Sequence, residues 1–516
     1  MAISSIFNDV IGPVMRGPSS SHSAAACRIG LLLRDLMKGD ISSIVIDYDP
    51  NGSLVTTHES QGTDMGLYGG LLGWQADDAR MKDYEKHVLE SGIKIEVNYL
   101  SYGAKHPNNY RINISNRSTS HTMSAISTGG GMMEVQEIDG SEVCINGDYH
   151  ELLIYGNQLE LIHGLMPEIS CDYLIPHASF IQLKSSQPFT TSIIKSLEAT
   201  PGVTDVCYLH PVLPVLSRKG LEVPFLFCKD MMDIGTSGNM ELWELALNYE
   251  SARGGIPEEE VFDKMRSIVK IMKAGVAEGL GGTFYQDRIL PVQSLGFRDK
   301  MNENQLLDGG LLNTMVLYTT AMMEVKSSMG VFVAAPTAGS CGTLPGTVLG
   351  AAECMASNED DIVKAMLAAG MMGVFISEHA TFAAEVAGCQ AETGAGGSMA
   401  AAGLVTLMKG TLRQCVGAAS LALQNSLGIV CDPVGNRVEA PCLGKNVMAA
   451  SNALSCANMA LANYDHLIPF DEVVQAMKEV GDMMAHELTC TGLGGLAATP
   501  TGKAIEARLK EKAKYC

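Results

Sequence analysis

The sequence has no stripe of lysine or arginine and no Cys-x-x-Cys pair. Each absence removes a class of function. The formal net charge is −21, from 36 basic against 57 acidic residues, so nucleic acid and anionic membrane are not expected as partners. Two uncharged runs, 393–408 and 414–430, fall short of the ~20 apolar residues a transmembrane helix needs. Both are rich in Gly, Ala and Ser and are expected as helices packed in a protein interior. The N-terminal stretch Met-Ala-Ile-Ser-Ser-Ile-Phe-Asn-Asp lacks a basic n-region and an apolar h-region, so no signal peptide and a cytoplasmic location are expected. Without Cys-x-x-Cys, zinc-ribbon and ferredoxin spacings are absent too. Ser127-Thr-Gly-Gly-Gly131 has no P-loop or dinucleotide spacing around it and reads as a tight turn.

Cysteine is what the chain has in quantity. There are 14, nine of them from Cys341 onward. In a cytosolic protein these point to metal or redox chemistry rather than disulfides, with some buried as small hydrophobes. Cys354, Cys415 and Cys456 sit in helix-like surroundings and are expected in the core. Cys389, Cys431 and Cys442 are well spaced, and Cys516 ends the chain. Thiolates are soft ligands that suit iron–sulfur clusters and zinc, but spacing alone does not choose between them. Cys341, in Ala335-Pro-Thr-Ala-Gly-Ser-Cys-Gly, is either a further ligand or a packed thiol. Thr337 and Gly339 of that small-residue loop are candidates for substrate contact.

Near the N-terminus, Gly17-Pro-Ser-Ser-Ser-His22 gathers three hydroxyls and an imidazole on a turn or helix start. Such a turn suits a carboxylate, with His22 as acid or base. A merely capped helix is the alternative. His106 and His121 read as structural.

At 516 residues and 46% hydrophobic, the chain should form at least two domains. Short β-like runs alternate with helical segments over 1–150, which predicts an α+β domain. A small α+β segment is expected over 151–232. From 233 to 516 the pattern is helical almost throughout. One helix is predicted to open at Pro257-Glu-Glu-Glu and another to run from Leu467 to Leu488, with acids early in each. The fold class is therefore multidomain, an α+β N-terminal domain followed by a mostly all-α C-terminal domain.

Several segments taken together carry a resemblance. Ala335-Pro-Thr-Ala-Gly-Ser-Cys-Gly, Ala384-Glu-Val-Ala-Gly-Cys-Gln-Ala-Glu, Cys431-Asp-Pro-Val, Pro441-Cys442 and Leu493-Gly-Gly-Leu-Ala-Ala-Thr-Pro-Thr-Gly502 resemble the α portion of iron–sulfur-dependent L-serine dehydratases. Gly17-Pro-Ser-Ser-Ser-His22, Gly62-Thr-Asp64, His106-Pro-Asn and Gly129-Gly-Gly131 look like that family's β portion. The resemblance implies a lyase that converts L-serine to pyruvate and ammonia, most often as a homodimer. It implies a 4Fe–4S cluster held by Cys389, Cys431 and Cys442, with Cys516 folding back onto the remaining iron. Ser19, Ser20 and Ser21 would hold the substrate carboxylate, and His22 would be the base. Residues 151–232 lie where some relatives carry an ACT-type domain, although no Asp-x-Pro-Gly effector turn is present. Four positions depart from the family pattern: Gln61, Lys326, Lys445 and Cys490. They leave open a lyase acting on L-cysteine or another small β-substituted amino acid, an amino-acid sensor without turnover, and an electron-transfer iron–sulfur protein. No Ser-x-Lys motif with a tetraglycine loop is present, which argues against pyridoxal phosphate.

Overall fold

The computed structural model describes residues 3–157, 159, 169–286 and 288–513. The chain packs as two compact units. One takes residues 22–128 and 132–222 and contains the two larger sheets; the other takes 1–21, 129–131 and 223–516 and is built of helices. The α+β and all-α character expected from the sequence is present.

In the sheet-containing unit, six strands order as Lys94–Tyr99, Ser43–Tyr48, Asn109–Ser115, Ser120–Gly129, Met132–Ile138 and Ser141–Ile145. The first two run parallel, and Ser43–Tyr48 pairs antiparallel with Asn109–Ser115. Tyr110, Ile112 and Ile114 alternate into the core, the two-residue period of a half-buried strand. They meet Ile29, Leu33 and Leu36 of the helix Ala25–Leu36. A second, four-stranded sheet orders as Val203–Leu209, His150–Gly156, Phe180–Ser185 and Tyr173–Pro176, all antiparallel. In chain order that is fourth, first, third, second, with the helix Thr191–Glu198 between the third and fourth strands. This is the strand order of a split βαβ, ferredoxin-like arrangement.

The helical unit centres on Ala395–Leu407, whose residues are all buried except Thr406. The Gly/Ala/Ser-rich run thus forms an interior helix. Small side chains let its neighbours, Glu359–His379, Leu412–Gln424 and Cys442–Leu461, approach closely. Among the described residues, Glu359–His379 is the one helix long and apolar enough to span a bilayer, and 78% of that window is buried inside the protein. Its polar start is capped by Asn358, whose side chain accepts from the Asp361 N–H at 2.9 Å.

The first residues belong with the helices rather than with the large sheet. Ser5 caps the turn Ile6–Val10, and the Ile6 N–H donates to the buried Glu250 at 2.8 Å. Ile6 and Val10 lie over Gly370 and Gly373 of Glu359–His379, and Val14–Met15 pairs antiparallel with Phe332–Val333. The helix Glu258–Gly281 opens after Pro257 as expected. The one expected over Leu467–Leu488 is shorter, Phe470–Asp482: Pro469 fixes its start, Leu467 is left-handed (φ 60°), and a separate single turn follows at His486–Leu488. Cys415 and Cys456 are buried, but Cys354, at the end of the helix Thr343–Cys354, is exposed.

Gly346 tests the close packing. A Cβ there would lie 2.5 Å from both the amide nitrogen and the Cα of Thr319. Alanine gains ~1 kcal/mol of helix propensity over glycine, but overpacking against backbone costs ~1–3 kcal/mol. Gly346→Ala is therefore expected to lower the thermal midpoint; a raised midpoint in a melting experiment would show that the helices can separate at no cost.

Candidate active site and metal centre

Three loops of the helical unit bring cysteines together. Cys389 follows the short helix Ala384–Ala387, and its carbonyl accepts from the Thr393 N–H at 2.9 Å and the Thr393 hydroxyl at 3.0 Å. Gln390 ties this loop to the segment before Cys431: its N–H donates to Ile429 O at 3.0 Å, and its side-chain oxygen accepts from the Gly428 N–H at 2.9 Å. Cys431 is then held by a parallel bridge. Its N–H donates to Leu488 O at 2.8 Å, and the Cys490 N–H donates back to Cys431 O at 3.0 Å. Cys442 starts the helix Cys442–Leu461. There Asn446 donates to both Cys442 O and Gly339 O at 2.8 Å, fastening the cysteine to the Thr337 loop.

The thiols of Cys389, Cys431 and Cys490 pack as one buried group with Ala384. Cys442 is buried and electrostatically close to Cys389. Hydrogen bonding with Cys389, then with Cys490, and burial push the Cys431 thiol well above its ordinary range. Burial and Cys389 do the same to Cys442. At Cys490 the Cys431 hydrogen bond favours the thiolate, but burial with the Glu385 and Glu392 carboxylates outweighs it and the thiol is raised. A metal bound among such thiols would deprotonate them and remove the mutual repulsion.

The carboxylate Glu392 joins them. Its oxygen, with the Cys389 and Cys431 sulfurs, forms a donor set within 4.8 Å. Burial pushes Glu392 up to about 7, against a hydrogen bond from Thr337 Oγ1 at 2.6 Å. Gly339 lies so close that a Cβ would fall 2.6 Å from a Glu392 oxygen. Two lysines stand beside the thiols. Lys445 donates to Val430 O and Asp432 at 2.6 Å each. Burial opposes its charge, but Cys389 and Asp432 outweigh this and hold it protonated. Lys326 is buried, donates to Val438 O, and favours the Cys442 thiolate.

The serine turn reaches the same place. Ala338 N–H donates to Ser20 Oγ at 3.2 Å, Ser21 Oγ donates to Glu385 at 2.8 Å, and the Ser19 and Ser21 hydroxyls are 3.2 Å apart. Ser19, Ser20, Ser21, Thr337, Gly339, Cys389, Cys431 and Cys442 thus gather in one unit. His22 is counted with the sheet-containing unit; it is fully buried, and its Nε2 lies 2.9 Å from Thr57 Oγ1. Cys516 lies outside the described residues. Cys341 is a packed thiol, 3.9 Å from Met323 Sδ, and burial pushes it up to about 12. His121 pairs through Nδ1 with Asp139 at 2.7 Å, a structural contact within the sheet-containing unit. The residues that sequence reasoning missed are Glu385, Glu392 and Cys490. Their signal was present, since two flank Cys389 and the third is one of the four departures.

Buried thiols grouped with the Glu385 and Glu392 carboxylates and the Ser19–Ser21 turn are compatible with a metal cofactor. The comparisons narrow this further. A family model described as serine dehydratase alpha chain matches residues 237–497. A probable L-serine dehydratase alpha chain of Bacillus subtilis is 35% identical over 281 residues, covering 54% of this chain and 94% of that one. The alpha chain of the L-serine dehydratase of Peptoniphilus asaccharolyticus is 36% identical over 282 residues, 54% of this chain and 95% of that one. The L-serine dehydratase of Helicobacter pylori strain 26695 is 24% identical over 495 residues, 94% of this chain and 96% of its own. The chain belongs to the serine dehydratase family, with the alpha and beta portions fused in one polypeptide.

Alanine in place of Cys389, Cys431 or Cys442 is expected to strip most bound metal from anaerobically prepared protein while the helical circular dichroism stays. Metal analysis that finds all three variants fully loaded would remove these cysteines from the ligand set.

Proposed function

We propose that the protein is an L-serine dehydratase that releases pyruvate and ammonia, with a 4Fe–4S cluster held by Cys389, Cys431 and Cys442. The reading rests above all on the meeting of these thiols with the Ser19–Ser21 turn and the Thr337 loop in one buried place. The donor set fits the cluster: sulfur predominates, water is excluded, and lysines on two sides offset thiolate charge. When bound, the cluster supplies Lewis acidity toward the departing β-hydroxyl.

The remaining work falls to the chain. Ser19, Ser20 and Ser21, with the backbone of the Thr337–Gly339 loop, would hold the substrate carboxylate. Thr337 fixes the Glu392 carboxyl, whose burial favours the neutral form and so spares the site another unpaired charge. His22 would take the Cα proton; general-base help of this kind is worth ~10²–10⁴-fold. The enamine formed by loss of water tautomerises and hydrolyses to pyruvate and ammonia without the protein. We further read the protein as a cytoplasmic homodimer and the sheet containing His150–Gly156 as an ACT-like regulatory segment, on its strand order.

Anaerobic reconstitution with iron and sulfide, then turnover on L-serine, L-threonine and L-cysteine, tests the proposal. Pyruvate and ammonia from L-serine are expected. His22→Ala should keep the cluster absorbance and lose at least ~10²-fold in turnover. Sulfide from L-cysteine with no turnover of L-serine would make the enzyme a desulfidase instead, and binding without turnover of any of the three would make it a sensor.

A further inference from the structure

We infer that Cys490 is a fourth protein ligand of the cluster, its thiolate capping in the substrate-free enzyme the iron that Cys389, Cys431 and Cys442 leave open. The inference rests on the iron–sulfur reading above and deepens it.

Three independent features of Cys490 support it. The first is placement. Residues 488–490 run beside Cys431 as a parallel bridge closed by two backbone hydrogen bonds, so the Cys490 thiol is fixed relative to a cluster ligand. The far side of the same loop is anchored where the Leu496 N–H donates to Asp432 at 2.8 Å. The second is conformation. Cys490 has φ 63°, the left-handed region that favours glycine, and four glycines occur within the next dozen residues of this loop and the helix after it. A side chain kept in such a conformation, 5% exposed, is held there by its surroundings for something its atoms do. Here the side chain points into a group made of Cys389, Cys431 and Ala384.

The third is direction. The charges that act on the Cys490 thiol include Glu385 and Glu392 as well as Cys389. Glu385 accepts from Ser21 and Glu392 from Thr337, the two segments proposed to receive substrate. Cys490 is therefore coupled to the carboxylates that face the segments proposed to receive substrate, as well as to the thiols. A thiolate there would shield the cluster while the site is empty and give way to the substrate hydroxyl when it fills. Its carrier is part of the folded loop, so the cap does not depend on the chain terminus.

The test compares the full-length wild type with Cys490→Ala, Cys490→Ser and Cys516→Ala, each reconstituted with iron and sulfide without oxygen. Iron and acid-labile sulfide are counted first, and folding is checked by circular dichroism. Ferricyanide then oxidises the cluster by one electron. A cluster whose fourth iron lacks a thiolate releases one Fe(II) and leaves a 3Fe–4S core visible by electron paramagnetic resonance. Both Cys490 variants are expected to release that iron at least ~10-fold faster than wild type, the scale on which even an outer-shell partner of a ligand affects a metal site. Release from Cys490→Ala at the wild-type rate, or faster release confined to Cys516→Ala, would overturn the assignment. If the Cys490 variants do not fold, ⁵⁷Fe Mössbauer spectra of substrate-free Cys516→Ala decide. Four sulfur-ligated irons are expected, and one oxygen- or nitrogen-ligated iron would overturn the inference. No cluster in wild type would sink the iron–sulfur reading and this inference together, whereas a wild-type cluster indifferent to Cys490 sinks the inference alone.

Discussion

The desolvation of sulfur governs this molecule's helical half. Cys389, Cys431, Cys442 and Cys490 are all buried, and their thiols hydrogen-bond or act electrostatically on one another. As thiolates they repel across a medium that screens poorly, and as thiols Cys389 and Cys490 hydrogen-bond with Cys431. A multivalent cation would relieve the repulsion, and holding it would then be linked to folding this corner. The lysines follow from the same constraint. Lys445 spans Val430 and Asp432, and Lys326 reaches Val438, each placing a fixed positive charge next to sulfur while its own donors are satisfied by backbone oxygen. Such lysines tune the site without entering the ligand set.

The scaffold answers a second requirement, which is precision. Cys389, Cys431 and Cys442 come from loops or helix starts, where backbone is ordinarily least determined. Here each loop is tied to the next by side chains that serve as backbone surrogates. Gln390 joins the first to the second, the bridge from Cys431 to residues 488–490 joins the second to the C-terminal loop, and Asn446 joins the third to Gly339. Behind them the small-residue helix Ala395–Leu407 makes a dense wall. Its Gly and Ala content is thus a packing requirement of the site and not a membrane signal.

Much of this was legible in the sequence. The strand Ser43–Tyr48 and the helix Thr191–Glu198 fall on the residues their patterns indicate, because alternation and amphipathic spacing are local properties. The grouping of Cys389, Cys431 and Cys442 became legible only through several segments matching a family at once, since intervals of tens of residues carry no geometric rule. Other features were not readable. The helix expected over 467–488 breaks at Asp482 because the loop beyond it must turn back to Cys431, a long-range demand that helix propensity does not register. Residues 3–21 leave the sheet for the helices because Ile6 and Val10 fill space over two glycines of a helix more than 350 residues away in the chain.

The departures from the family pattern carry the most structural information. Lys326, Lys445 and Cys490 are scattered over 165 positions of sequence, yet in the fold each acts on one or more of Cys389, Cys431 and Cys442. Each sets a charged or ionisable group beside the buried thiols: Lys326 and Lys445 favour the Cys442 thiolate, and the Cys490 thiol hydrogen-bonds Cys431. Changing one alone leaves either an extra buried anion or an extra buried cation, which costs more than the pair. Positions that made the substrate hard to name from sequence are therefore ones that set the charge around the buried thiols.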